Sequence, residues 1–302
     1  MKKNALAYLL LPLAAMYYLV SRLVYFCRLF YQKRSKRPVI CVGNIFAGGV
    51  GKTPIVMEIA RRLGALVVMR GYRRGRNDIG DEAKMLKKAG IRVYVGNRKT
   101  NVRMLNGRRD NGPIVMDDGF QNPGVKKDIS ILVFDQRLGF GNGFVLPAGP
   151  LREPACAIRR ADAVIVIGYR VLGNGYHRFI SEIKSFGKPV FFAENKTLIP
   201  DSLELIPVIA FAGIGYPQKF FDALMPRAVK TIGFPDHHKY TESDLNRLFL
   251  MAKKERAALL TTEKDWVRLP PAMRKKIHVA KLETTVEPAF WTWLSERLKE
   301  SL

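Results

Sequence analysis

A mostly parallel α/β sheet with helices on both faces, joined to a second, smaller α/β domain, is the fold class this sequence predicts. Three observations predict it. Short apolar segments recur between polar or helix-patterned stretches, as in a parallel sheet buried on both sides: PVICV, ALVVM, IRVYV, PIVMD, DISILVFD, DAVIVI and PVFFA between Arg37 and Lys196. The first of them runs into a glycine-rich loop and then a helix-spaced pattern. Around Asn195–Pro207 the rhythm breaks, and a second set of segments starts at VIAFAGIG. At 302 residues and 48% hydrophobic, the chain can bury the cores of two domains.

Residues 1–36 come first. Ala5 to Val20 is uncharged and apolar, and Arg22 and Arg28 then interrupt an aliphatic and aromatic continuation. A secretory signal would begin at Lys2 and Lys3 but lacks an A-x-A cleavage site. A spanning helix would need the chain beyond Ser21, with the arginines reaching for the interface. The expectation is a membrane-associated helix that does not cross. Tyr17, Tyr18, Tyr25 and Tyr31 would lie at headgroup depth, and Lys33, Arg34, Lys36 and Arg37 would face anionic lipid. A helix packed on the protein's own core would leave that basic cluster without a purpose.

Residues 37–196 form the expected core domain. Val42 to Pro54 reads VGNIFAGGVGKTP. The usual phosphate loop, G-x-x-x-x-G-K-[ST], fails at its first glycine, where Phe46 stands. The parts with a physical purpose remain: Gly48, Gly49, Val50 and Gly51 let backbone N–H groups converge, Lys52 reaches the β- and γ-phosphates, and Thr53 offers a hydroxyl to Mg²⁺. Ile55, Ile59 and Leu63 continue at helical spacing, so a helix N-terminus points at the bound anion. ALVVM ends in RGYRRG, which puts Arg70, Arg73 and Arg74 where ligands bind, as a clamp or as a solvated face. GDE follows, and helix-dipole stabilisation alone would explain Asp81 and Glu82. In IVMDDGFQ, Asp117 and Asp118 end a strand. Neighbouring strand residues point oppositely, but a turn can bring the second back to make a metal or metal-water site. The long Gly/Pro loop DQRLGFGNGFVLPAGPLREP, with Arg137, Arg152 and Glu153, suits substrate enclosure.

Residues 197–207 read as a connector and 208–302 as the smaller domain. It holds a strand at VIAFAGIG, a helix over Pro217–Leu224, a strand near Val229–Phe234, a helix capped by Thr241 with Asp244, the strands ALLTT and IHVAKL, and a closing segment around Ala289–Leu298. Asp236 in FPDHHKY could orient His237 or His238 for proton transfer, and domain closure would bring this segment to the phosphate loop. Thr262, Glu263, Lys264 and Asp265 could contact a nucleotide's base or ribose.

The net charge of +25 calls for an anionic partner. Zinc-finger spacing, RNA-reading aromatics and helix-turn-helix signals are missing, so nucleic acid is not expected. Cys27, Cys41 and Cys156 suit neither a disulfide framework nor a zinc site and read as reduced, buried thiols. Phosphate loop, acidic pair and Asp-His together point to phosphoryl transfer to an alcohol. A membrane-associated nucleotide-hydrolysing switch or scaffold is the other reading, although no N-K-x-D segment favours GTP.

In order along the chain, VGNIFAGGVGKTP, RGYRR, GDE, DDGFQ, FGNGFVLPAGPLREP, AGIGYPQKFF, FPDHHKYT and LLTTEKD resemble the tetraacyldisaccharide 4'-kinase family of lipid A biosynthesis. The resemblance implies a P-loop NTPase-like kinase at the cytoplasmic face of the Gram-negative inner membrane, peripheral or monotopic. It would use ATP and Mg²⁺ to phosphorylate the 4'-hydroxyl of an acylated glucosamine disaccharide 1-phosphate, beside anionic membrane lipid and with no obligate protein partner. It assigns phosphate binding to Gly48–Thr53, magnesium to Thr53, Asp117 and Asp118, and hydroxyl activation to Asp81 with His237, Asp236 preceding it. Arg70, Arg73, Gln121 and Arg152 are the implied substrate contacts, and Glu263 a nucleotide contact. The sequence departs from the family pattern at Asn122, where histidine is common, at Arg73, where glycine is common, and at Ala83, where proline is common. Altered substrate contacts rather than lost chemistry are the expected result.

Overall fold

The computed structural model describes residues 5–71, 80–107, 112–168 and 174–301. The chain divides into two compact units, Met1–Glu194 with Thr284–Leu302, and Asn195–Glu283.

The first unit opens with α1 (Ala5–Leu9) and α2 (Leu11–Leu29). Pro12 falls in the first turn of α2, where its missing N–H costs nothing. Ala7 and Ala14 are buried, whereas Leu19, Leu23 and Phe30 face outward. No described helix is long and apolar enough to cross a membrane. Lys33, Arg34 and Lys36 are exposed, but Arg37 turns inward, is buried and donates to Gly112 O at 3.4 Å.

Then follow β1 (Val39–Gly43), α3 (Lys52–Leu63), β2 (Leu66–Met69), α4 (Asp81–Lys88), β3 (Val93–Val95), α5 (Arg98–Asn106), β4 (Ile114–Asp117), β5 (Ile129–Asp135), β6 (Ala163–Ile167), α6 (Asn174–Lys184) and β7 (Val190–Leu198). The strands pair in parallel in the order β3-β2-β4-β1-β5-β6-β7. Ile40, at the centre, lies beside Val115 on one side and Ile129 on the other. Every residue of β1, β2, β4, β5 and β6 is buried, so both faces of the sheet are covered. α3 lays Ile55, Val56 and Ile59 on it and stops at Gly64, whose φ of +59° suits a residue without Cβ.

The second unit contains β8 (Val208–Ala212), α7 (Gln218–Asp222), β9 (Ala228–Gly233), α8 (Glu242–Lys254), β10 (Ala258–Thr262), α9 (Glu263–Trp266), α10 (Pro271–Arg274) and most of β11 (His278–Val286). Its strands run in the order β11-β10-β8-β9, with β10 parallel to both neighbours and β8 parallel to β9. The two-residue period of β8 sends Val208, Ala210 and Ala212 into one core with Phe220 and Phe221, and Ile209 and Phe211 into another with Tyr240, Leu245 and Leu248. α8 starts in a reciprocal box: Thr241 Oγ1 accepts the Asp244 N–H at 3.1 Å, and Asp244 Oδ2 accepts the Thr241 N–H at 2.9 Å.

The units do not follow the expected boundaries. The chain leaves the first unit within β7 and returns within β11, so residues 197–207 belong to the second unit and the last helix, α11 (Pro288–Glu300), belongs to the first. There Phe290 and Leu294 are buried in the same core as Phe191, and Arg62 lies 4.1 Å from the Trp291 ring centroid. Apolar spacing shows that a helix has a buried face but not which core receives it. The thiols also differ from expectation. Cys41 is buried, but Cys27, on the outer face of α2, and Cys156 are exposed, and all three are free.

Candidate active site

The glycine-rich loop is shaped from behind. A Cβ at Gly43 would stand 2.6 Å from Phe120 Cβ, so only glycine lets β1 end against that turn. Asn44 is fully buried and its amide donates to Phe46 O at 2.9 Å and Gly48 O at 3.3 Å, which curls the loop. Gly51 adopts φ +82° as the residue before α3, so Lys52 and Thr53 open the helix. The long Gly/Pro loop lies alongside. Ala47 N–H donates to Pro150 O at 2.7 Å and Arg152 N–H to Ile45 O at 2.6 Å.

The acidic pair sits at the end of β4. Asp118 has φ +51°, a left-handed turn that reverses the strand's alternation. Its N–H donates to Val42 O at 2.9 Å. Lys52 Nζ approaches Asp118 Oδ1 at 3.1 Å, and Arg152 Nη1 reaches Oδ2 at 3.0 Å. Burial alone would raise the Asp118 pKa; Lys52 and Arg152 outweigh it and hold the carboxyl below its usual range. Asp117 is different. It is buried, its Oδ1 has no hydrogen-bond partner, and burial followed by the charge of Glu82 pushes its pKa up to about 7 against the pull of Lys52. Arg98, itself buried, donates to the main-chain oxygens of Asp117 at 2.6 Å and Asp118 at 2.9 Å and braces the turn.

An unpartnered buried carboxylate oxygen, with the Thr53 hydroxyl in the first turn of α3, is a donor set that fits a hard divalent cation. Among the described residues no group of three or more His, Cys, Asp or Glu could hold a metal, so such a cation would keep water and phosphate oxygens as its other ligands.

The remaining candidates divide. Asp81 opens α4 beside Glu82, whose charge is felt at Asp117. Arg70 is exposed at the end of β2, close enough to act on Arg98, while Arg73 lies outside the described residues. Gln121 is engaged within the protein, donating to Asn44 O at 2.8 Å and Glu153 Oε2 at 3.3 Å. Asn122 Oδ1 accepts the Gly124 N–H at 2.8 Å and closes a turn.

In the second unit, His237 has φ +59°, its N–H donates to Gly213 O at 3.0 Å, and its Nε2 is 3.9 Å from Asp236 Oδ2. Arg268 Nη2 lies 3.2 Å from His237 Nδ1; a guanidinium only donates, so Nδ1 accepts. The neighbouring His238 bonds Asp244 at 2.9 Å and stacks on Phe234. Asp265 is not available to a nucleotide. Fully buried, it accepts from Gly213 N–H and Tyr240 Oη at 2.9 Å, Thr262 Oγ1 at 2.7 Å and Arg268 Nη1 at 3.1 Å. Glu263 accepts the Leu282 N–H at 3.3 Å, tying α9 to β11. Asn44, Arg98 and Arg268 escaped sequence reasoning. Only Asn44, next to the strand-ending Gly43, carried a local signal.

A loop, helix and acidic strand end of this kind define a P-loop α/β protein, a class that holds a nucleoside triphosphate at a helix N-terminus. The model of the Tetraacyldisaccharide-1-P 4'-kinase family matches residues 6–299. A tetraacyldisaccharide 4'-kinase from Gluconacetobacter diazotrophicus is 40% identical, with 81% of this chain and 80% of the relative covered. One from Paramagnetospirillum magneticum is 37% identical over 98% of this chain and 96% of the relative. Among solved structures, LpxK from Aquifex aeolicus, crystallised with ATP, superposes with a TM-score of 0.72 at 25% identity over 97% of this chain and 99% of that one. The chain belongs to the tetraacyldisaccharide-1-phosphate 4'-kinase family.

Proposed function

We propose that this protein transfers the γ-phosphoryl group of ATP to the 4'-hydroxyl of an acylated glucosamine disaccharide 1-phosphate. Family membership supports the reaction. The observation that carries the site is the unequal treatment of two neighbouring carboxylates: Asp118 is neutralised by Lys52 and Arg152, and Asp117 is left with an open oxygen.

Asp118 holds the Lys52 ammonium at 3.1 Å at the start of α3, so it is in place when phosphate arrives, and the helix N–H groups add a second positive field. Asp117 and Thr53 would hold Mg²⁺, which supplies charge neutralisation on the transferring phosphoryl group when bound. That assignment takes Asp118 out of the metal shell and makes it an organiser of Lys52 and Arg152. Asp81 accepts the proton of the acceptor hydroxyl late in transfer, and His237, preceded by Asp236, is assigned a supporting role in proton transfer. Arg70 and Arg73 are assigned to the anionic acceptor.

The outward Leu19, Leu23 and Phe30 of the N-terminal segment, followed by Lys33, Arg34 and Lys36, support a helix lying in the cytoplasmic face of the inner membrane. The acceptor's acyl chains then remain in lipid during transfer.

The test is incubation of the full chain with Mg²⁺, γ-labelled ATP and the disaccharide 1-phosphate, followed by location of the label. Label at the 4'-position is expected. Label released only as inorganic phosphate, at a rate indifferent to acceptor, would instead support a nucleotide-driven switch. Asp81→Asn should lower transfer by about 10²–10⁴-fold with ATP affinity retained; an unchanged rate removes Asp81 from its role.

A further inference from the structure

A cavity of about 170 Å³ in the first unit stands apart from the phosphate loop. Its walls are Tyr25 and Gln32 from the N-terminal segment, Phe120 and Pro123 from the turn after the acidic pair, and Lys126, Lys127, Ser130 and Arg160. We propose that it is a binding site for a phosphate monoester carried on a membrane-resident lipid, and that its occupant is the 1-phosphate of the acceptor. The proposal rests on the kinase reading given above.

The chemistry of the walls points to that ligand. Three cationic side chains line a small space, and the one carboxylate bonded to any of them among the described residues is Glu153, which Arg160 shares with Gln121 and, at 3.8 Å, with Arg22. Lys127 donates to Phe120 O at 2.7 Å, and neither it nor Lys126 has a carboxylate partner among the described residues. Burial, with the nearby Arg160 charge adding to it, pushes the Lys127 pKa down, the condition a bound dianion would relieve. Ser130 is 7% exposed, its N–H is taken by Asp162 Oδ2 at 2.7 Å, and its hydroxyl has no bonded partner among the described residues. Lysines, an arginine fork and a hydroxyl are the donors that a tetrahedral phosphate accepts from.

Position adds the lipid. Tyr25, in α2, and Gln32, just beyond its end, line the cavity, while Leu19, Leu23 and Phe30 of the same segment are exposed. A phosphate here would therefore lie beside a segment that carries exposed apolar side chains. Arg160 lies 5.1 Å from the Tyr25 ring centroid and 4.7 Å from that of Phe120, so two rings hold the guanidinium in place. The route to the reacting centre is short in sequence: Arg152 bonds Asp118, and its neighbour Glu153 bonds Arg160.

Lys126→Met removes one charge from the wall with little change of shape, and Lys126→Arg restores it. With the full chain, the Met variant should raise KM for the disaccharide 1-phosphate roughly tenfold or more and leave KM for ATP unchanged. The same variant should not change the kinetics of the disaccharide lacking its 1-phosphate, and Lys126→Arg should recover the loss. Co-sedimentation with phosphatidylcholine vesicles doped with phosphatidic acid separates the sources. Loss of vesicle binding without a change in KM would overturn the acceptor assignment and give the cavity to a lipid headgroup. Equal loss with both disaccharides, or no change in either assay, would overturn the site itself. Absence of transfer to any acceptor by the wild-type chain would instead sink the kinase reading. If Lys126→Met lowers the thermal midpoint, Ser130→Ala supplies the same comparison without a charge change.

Discussion

Asp117 and Asp265 are buried carboxylates close to the end of a parallel strand, one closing β4 and the other one turn beyond β10, and their oxygens meet opposite surroundings. Asp265 accepts from a main-chain N–H, a phenol, a hydroxyl and a guanidinium. The Tyr240 phenol pKa is pushed up by burial and then by the Asp265 charge, so it stays a neutral donor at any ordinary pH. Asp117 keeps an oxygen with no hydrogen-bond partner. A buried carboxylate with every lone pair answered holds structure in place, whereas one left incomplete is a candidate to receive a ligand from outside. The lesson applies within the acidic pair too. Adjacent residues with the same side chain are sorted by a single left-handed turn at Asp118 into one held by two cations and one with an unpartnered oxygen.

The sharpest way to break this contrast is to replace each carboxylate in turn. Asp117→Asn should cost transfer about 10³-fold while leaving the thermal midpoint unchanged or higher, measured by label transfer and calorimetry on the same preparation. A large loss of stability would mean that Asp117 is structural after all. Asp265→Ala should do the reverse, costing about 3 kcal/mol in urea unfolding because Tyr240, the Gly213 N–H and Arg268 lose their acceptor together. Normal stability there would remove the basis of the comparison.

Acid unfolding gives a smaller effect. Asp244 is held down to about 2 by the Thr241 backbone N–H, the His238 bond and the Thr241 hydroxyl. Its folded pKa lies below the unfolded value of about 3.9, so its contribution is present above that pH and disappears as pH falls towards about 2. Asp244→Asn should flatten the stability profile across that window, read by denaturant titrations at stepped pH. The smallest effect expected is that of Thr241→Ala, about 1 kcal/mol from the lost cap.

Much of the first unit was legible because a parallel strand buried on both faces needs an unbroken apolar run. All seven apolar segments between Arg37 and Lys196 correspond to observed strands, β1 to β7, with β3 and β7 only partly buried. The glycine-rich loop leading into α3 was legible despite Phe46, since Gly51 makes the left-handed step before the helix and Lys52 and Thr53 open it. The cap of α8 was also visible, as Thr241 and Asp244 lie three residues apart. Long-range partnerships were not. Nothing local says that Asp118 pairs with Arg152, or that Asp265, in a polar stretch beside Glu263, is the most enclosed carboxylate of its unit. Thr262 and Asp265 form a capping pair, a signature that favours a structural assignment over nucleotide contact. The unit boundary failed for a related reason. α11 has the apolar spacing of any packed helix, and only the fold shows that Phe290 belongs with Phe191.

The return of α11 to the first unit has a consequence for biosynthesis. On the ribosome the P-loop sheet is made early, yet the helix that seals one patch of its core is translated only after the whole of residues 195–283 has been made. Until then Phe191 lacks the Phe290 ring that it meets at 5.4 Å in the folded chain, and apolar surface left open during synthesis is what makes a partly made chain prone to aggregate.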